Sequence, residues 1–213
     1  MLAKTLSTQN HSRISMKSHE LPIVLASSSK YRRELLSRIL NEFEHASPDI
    51  DETPLHGESP RTCVARLAKL KAKALAEQFP AHWIIGSDQL ATLDSQILGK
   101  PLTQQRAISQ LSLCSGRCVS FLTSLALLNS QTGEIREYIE EVVVIFRELT
   151  EAEIVAYIER EQPLDCAGSF KCEGLGITLF KSIESQDPNT LIGLPLIGLN
   201  RLLLEAGINP LLT

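Results

Sequence analysis

No two cysteines are spaced as CxxC, no glycine-rich phosphate loop of the Rossmann or P-loop kind is present, and no apolar run reaches the roughly 18 residues of a membrane span. Each absence excludes something. The five cysteines, Cys63, Cys114, Cys118, Cys166 and Cys172, suit neither a fully paired disulfide framework nor a common zinc pattern. They read as reduced, structural thiols of a cytoplasmic protein. Excess positive charge is missing as well. A net charge of -4 argues against nucleic acid or a membrane surface as the main partner, although a local basic cluster can still hold a small anion. Any nucleotide would have to be held without the usual phosphate-binding loops.

What remains is ordinary globular composition, 43% hydrophobic and 22% charged over 213 residues, a length that suits one or two domains with a sizeable core. Residues 1–20 are polar, basic and serine-rich and lack the apolar stretch of a signal peptide. They are expected to be a disordered leader, with Met16 as an alternative start. Residues 21–213 read as a single domain.

Along that domain, apolar runs alternate with helical patterns. Leu21 to Ala26 reads as a short buried strand, and Ser29 as the cap of a helix with Leu35, Leu36, Ile39 and Leu40 inward. The Ser27-Ser28 turn between them is a candidate anion site. A second helix opens at Ser59-Pro60. Its apolar stripe runs through Val64, Leu67, Ala68, Ala74 and Leu75, and Lys71 falls on that stripe, where a lysine either snorkels or meets buried negative charge. Thr103 caps a helix to about Cys114, and Thr150 with Glu153 forms a capping box. Two long strands joined at Gln131-Thr132-Gly133 form an antiparallel hairpin. A strand is expected near Ile177 to Phe180, and a last helix from Pro195 to Gly207. The pattern is that of an α/β protein with a mixed, strongly twisted sheet and flanking helices.

"IIGSDQ" places Asp88 at the end of what reads as a buried strand. A carboxylate there must be paired, hydrogen-bonded or bound to a cation. "DIDETP" crowds Asp49, Asp51 and Glu52 into one acidic loop, a solvated turn or a metal ligand set. Lys100 and Glu173 sit in glycine-containing loops. Cations, carboxylates and hydroxyls of this kind suit an anhydride substrate: Arg and Lys neutralise phosphate oxygens, and a carboxylate takes a proton from attacking water. A serine nucleophile at Ser28 is disfavoured, because no nucleophile elbow surrounds it.

The ordered motifs "LASSSKYRRELL", "DIDETP", "ARLAKLKA", "IIGSDQ", "LGKP", "CAGSFKCEGLG" and "GLPL" resemble the Maf family of nucleoside triphosphate pyrophosphatases, from Leu21 to Leu211. The resemblance implies a Maf/ITPase-like fold. It also implies hydrolysis of the α–β phosphoanhydride, a divalent cation (Mg²⁺ or Mn²⁺), a small-molecule nucleotide substrate and a homodimer. It assigns Asp88 as general base, and Ser27, Arg32, Lys71 and Lys100 to phosphate. Glu52 or its neighbour Asp51 is assigned to an acidic, metal-related position. Tyr31, Gln89 and Glu173 take the positions that tune base specificity, and "KYRR", "SDQ" and "KCEG" resemble the 7-methyl-GTP branch. Lys30 departs from the proline usual in the family. Alternatives are a pyrophosphatase for UTP/dTTP or ITP/XTP, and a non-catalytic nucleotide-binding regulator of septum formation.

Overall fold

A computed structural model describes residues 21–212. The proposed leader and alternative start lie outside the described residues. Among these residues, seven strands form one mixed sheet flanked by five α-helices. In chain order they are β1 (Ile23–Ala26), α1 (Lys30–Leu36), β2 (Glu44–Ala46), α2 (Pro60–Ala74), β3 (Trp83–Leu93) and β4 (Gln96–Leu98). Then come α3 (Gln104–Cys114), β5 (Cys118–Asn129), β6 (Ile135–Phe146), α4 (Glu151–Glu161), β7 (Phe180–Glu184) and α5 (Leu196–Glu205). The sheet runs β2-β1-β3-β5-β6-β7, with β4 hairpinned onto β3. β2 and β3 flank β1 in parallel; every other pair is antiparallel.

Local chemistry explains most boundaries. Ser29, Ser59 and Thr103 each accept a main-chain N–H of the first turn of their helices, and Thr150 and Glu153 complete the capping box. The β3–β4 turn uses Asp94 and Ser95, both at positive φ, as tight hairpins require. Three apolar clusters divide the core. α1 and α5 cover one face of β1, β3 and β5; α2 covers the other; α3 and α4 close the far end against β5 and β6.

Four local expectations are corrected. β3 does not end at Asp88. It continues to Leu93, because β5 pairs with it from Trp83 to Thr92. Ile177 lies not in a strand but in a 3₁₀ turn over Leu175–Leu179, and β7 begins only at Phe180. Gly176 packs against the Lys171 main chain there, and its N–H donates to the Lys171 carbonyl at 3.1 Å. On α2 the inward stripe takes Ala72, while Ala74 is exposed. α1 ends at Leu36, so Ile39 and Leu40 pack from the turn that follows.

Candidate active site

The extent of β3 decides where the site lies. β1 accompanies β3 only from Trp83 to Gly86, and β4 joins it only at Ala91. Between those points, Ser87 to Leu90 have, among the described residues, a strand neighbour on one side alone. Asp88 therefore stands in mid-strand, beyond the C-terminal end of a parallel neighbour, where open α/β sheets bind ligands.

α2 crosses this point at very close range. Gly86 makes that approach feasible: a Cβ would collide with the Ala68 carbonyl oxygen and crowd Ala72 N at 2.9 Å. The approach brings Lys71 to Asp88, two residues along on the same face. Lys71 Nζ donates to Asp88 Oδ1 at 2.6 Å and pairs with Glu52 Oε1 at 2.8 Å. Both Lys71 and Asp88 are buried, so the lysine on the apolar stripe meets buried negative charge rather than snorkelling. Burial works to raise the Glu52 pKa, but the hydrogen bond and charge of Lys71, with Lys100 and Arg32 behind, outweigh it and hold the carboxyl below its ordinary value. Asp88 Oδ2 takes no hydrogen bond from the described residues.

Around this triad lies a cleft of about 530 Å³. Ser27, Tyr31, Arg32, Glu52, Lys71, Asp88, Gln89, Lys100 and Glu173 all line it, so nine of the ten anticipated residues converge. Asp51 does not line it. Its carboxylate accepts the Thr53 main-chain N–H at 2.9 Å and shapes the acidic loop. Arg32 donates from Nε to the Gly193 carbonyl at 2.9 Å, while its two terminal nitrogens take no partner among the described residues. Burial lowers the Arg32 pKa, opposed by the charges of Asp88 and Glu52. The amide nitrogen of Gln89 donates to Thr123 Oγ1 and to the Thr190 carbonyl, each at 2.9 Å.

At the other end stands Tyr31. Its pKa is raised by burial and then by the negative charges of Glu173 and Asp165. Lys30 rests its ammonium 4.9 Å from the Tyr31 ring centre. The glycine-punctuated loop that carries Glu173 is anchored to α4: Tyr157 Oη accepts Lys171 N at 3.0 Å, and Glu161 Oε2 accepts Leu175 N at 2.9 Å. Phe121 and Phe170, edge to face at 5.2 Å, form an aromatic wall. Cys166 and Cys172 also line the cleft, but burial pushes both thiols up to about 12, which removes thiolate chemistry at neutral pH. All five cysteines are free.

Residues 22–206 match the model of the Maf-like protein family. The chain belongs to the Maf-like proteins. Among solved structures it is similar to the Staphylococcus aureus Ham1 protein, with 16% identity and a TM-score of 0.50, over 87% of this chain and 99% of that one. At that identity the likeness is one of fold.

Two contributors to this Maf-like site escape sequence reasoning. Asp165 reads as a loop-shaping residue beside the "CAGSFKCEGLG" motif, yet it lines the cleft near Tyr31. The Gly193 carbonyl, which holds both Arg32 Nε and Ser87 Oγ, has no side-chain identity to detect.

The acidic loop is tied to α2 by Arg66, which meets Glu58 through two hydrogen bonds of 2.7 Å and the Thr53 carbonyl at 3.2 Å. The Arg66 hydrogen bond holds the Glu58 carboxyl down at about 2, against an ordinary 4.5. A depressed carboxylate pKa contributes stability that is complete above the unfolded value and lost as pH falls through the folded one. Thermal unfolding followed from pH 7 to 2 should therefore show a loss between about 4.5 and about 2. Glu58→Gln should lessen that loss; an identical acid profile would refute the role.

Proposed function

We propose that this protein is a nucleoside triphosphate pyrophosphatase that converts 7-methyl-GTP to 7-methyl-GMP and pyrophosphate, clearing a modified nucleotide. The observation that carries the reading is the buried Asp88–Lys71 pair joined by the exposed Glu52, set in one cleft beside the terminal nitrogens of Arg32, which take no partner among the described residues. Membership of the Maf-like family supports the same reaction class. Water attacks the α-phosphorus, and the free oxygen of Asp88 accepts its proton. The bond from the α-phosphorus to the bridging oxygen breaks, and pyrophosphate departs with the electron pair. Arg32, Lys71, Lys100 and the Ser27 hydroxyl neutralise or bond the phosphate oxygens.

The acid groups fit a divalent cation in one particular way. Among the described residues no cluster of three or more His, Cys, Asp or Glu side chains could enclose a metal. Glu52, however, meets Lys71 through Oε1 and keeps a second carboxylate oxygen at the cleft. One carboxylate completed by substrate oxygens and waters is an ordinary donor set of Mg²⁺. Glu52 would hold the ion, and it would supply charge neutralisation on the phosphates.

Base selection rests on Tyr31, Gln89 and Glu173. The Gln89 amide nitrogen is committed to Thr123 and the Thr190 carbonyl, which leaves its oxygen as an acceptor. Glu173 is also an acceptor when ionised. Two acceptors suit the N1–H and exocyclic amine of guanine. A cationic N7-methylated ring strengthens stacking on Tyr31 and attraction to Glu173.

The test is pyrophosphate release with Mg²⁺ or Mn²⁺ from 7-methyl-GTP, GTP, UTP, dTTP, ITP and XTP. Fastest turnover of 7-methyl-GTP is expected. Preference for UTP, dTTP, ITP or XTP would retain the chemistry and overturn the base assignment. Binding without any turnover would indicate a regulator. Glu173→Gln is expected to lower kcat/KM for 7-methyl-GTP about tenfold relative to UTP, the worth of one charged hydrogen bond. Unchanged selectivity would remove Glu173 from base recognition.

A further inference from the structure

We propose that Asp187 is a positioning residue for Arg32, acting through the turn at residues 190–193. The inference rests on the assignment of Arg32 to phosphate.

Asp187 is fully buried in the loop between β7 and α5. Its Oδ1 accepts both the main-chain and the side-chain N–H of Asn189, each at 2.8 Å. Its Oδ2 accepts Ile197 N at 2.6 Å, in the first turn of α5. Pro195, at the cap position of that helix, offers no side-chain cap, so Asp187 supplies one from ten residues upstream. One carboxylate thus ties both ends of the segment 189–197. Its own main chain is fixed in turn, because Glu140 Oε1, buried on β6, accepts Asp187 N at 2.9 Å.

Between the two tied ends, the turn aims carbonyls at the gap in the sheet beside Ser87 to Leu90. Thr190 O receives Gln89 and Thr123; Gly193 O receives Arg32 Nε at 2.9 Å and Ser87 Oγ at 3.3 Å. Arg32 therefore takes its orientation from a main-chain atom. With Nε fixed, the guanidinium plane can swing little, and its two terminal nitrogens stay available as a fork for phosphate oxygens. A shift of about 1 Å in such a clamp can lower rate by about 100-fold.

The position requires a carboxylate. Every hydrogen bond on its two oxygens comes from an N–H. Asparagine has nearly the same shape but would turn an amide nitrogen toward one of these donors, releasing one end of the segment.

A double-mutant cycle tests this. Asp187→Asn, Arg32→Ala and the double variant are compared in kcat and KM on the fastest nucleotide of the panel. The same cycle is read by calorimetric binding of inorganic tripolyphosphate. Asp187→Asn is expected to raise KM and weaken tripolyphosphate binding about tenfold. Arg32→Ala should then cost at least about fivefold less in that background than in the wild type. A role confined to fold stability predicts a lower Tm with independent losses; losses that multiply within about twofold would overturn the proposal. Should Asp187→Asn fail to fold, Asn189→Ala, which keeps the α5 cap, is carried through the same cycle with the same expected sign. The binding arm needs no turnover. A wild type that hydrolyses none of the nucleotides refutes the pyrophosphatase reading, while the cycle still decides the role of Asp187.

Discussion

Replacing Asp88 with asparagine is expected to reduce turnover by at least ~100-fold while nucleotide binding stays within a few-fold of wild type. Asparagine keeps an oxygen for Lys71 Nζ, now 2.6 Å from Asp88 Oδ1, but removes the basic oxygen that takes the proton from water. Breaking a buried ion pair usually leaves a costly lone charge. Here Glu52 remains 2.8 Å from the same ammonium, so the charge is not orphaned and the fold should hold with a modest fall in Tm. Three measurements decide: kcat, the Kd for the triphosphate, and Tm. A variant that is folded and binds but is nearly as fast as wild type would show that proton transfer does not depend on Asp88. If binding is lost as well, Asp88 acts on the substrate rather than on water.

Gly86→Ala is expected to be the most damaging single-methyl change in the chain. The new methyl meets the Ala68 carbonyl oxygen and the Ala72 main chain, neither of which can rotate aside. Relief requires α2 to lift off β3 as a body. Overpacking of this kind costs about 3 kcal/mol at the upper end of the usual range, equivalent to a Tm drop of roughly 6–12 °C for a domain of this size. Because Lys71 rides on α2, the same displacement should lengthen its contact with Asp88, and kcat should fall even at temperatures where the variant is fully folded. Denaturant melts and kinetics on one preparation test both halves. A Tm within about 2 °C of wild type would mean that α2 adapts at little cost.

Much of this arrangement is legible residue by residue. Lys71 stands out as a charge on an apolar stripe, and the capping residues Ser29, Ser59, Thr103 and Thr150 mark their helices through hydrogen bonds to main-chain atoms three residues away. Such signals are local in the chain and survive folding. What escapes is set by distant pairing. Asp88, two residues past Gly86, looks like the end of a strand, but β5 carries β3 onward, and it is β1 that stops. The role of the glycine is a close approach to α2, which no neighbouring residue announces. Asp51 and Glu52 are adjacent and chemically alike; only the loop geometry sends one to Thr53 and the other to Lys71. The carbonyls of Thr190 and Gly193 leave no mark at all, since any residue supplies one.

The gap beside Ser87 to Leu90 also separates two kinds of work within the cleft. Asp88 and Lys71 belong to a central strand and to the helix pressed on it, where any substitution disturbs the core. Glu173 stands in a surface loop hung from Tyr157 and Glu161. Loops accept exchange far more readily than the scaffold beneath them. Divergence among Maf-like proteins can therefore proceed by rewriting residues 165–176 while the strand that carries Asp88 is inherited unaltered. A graft of that loop should carry a preference with it and leave the chemical step behind.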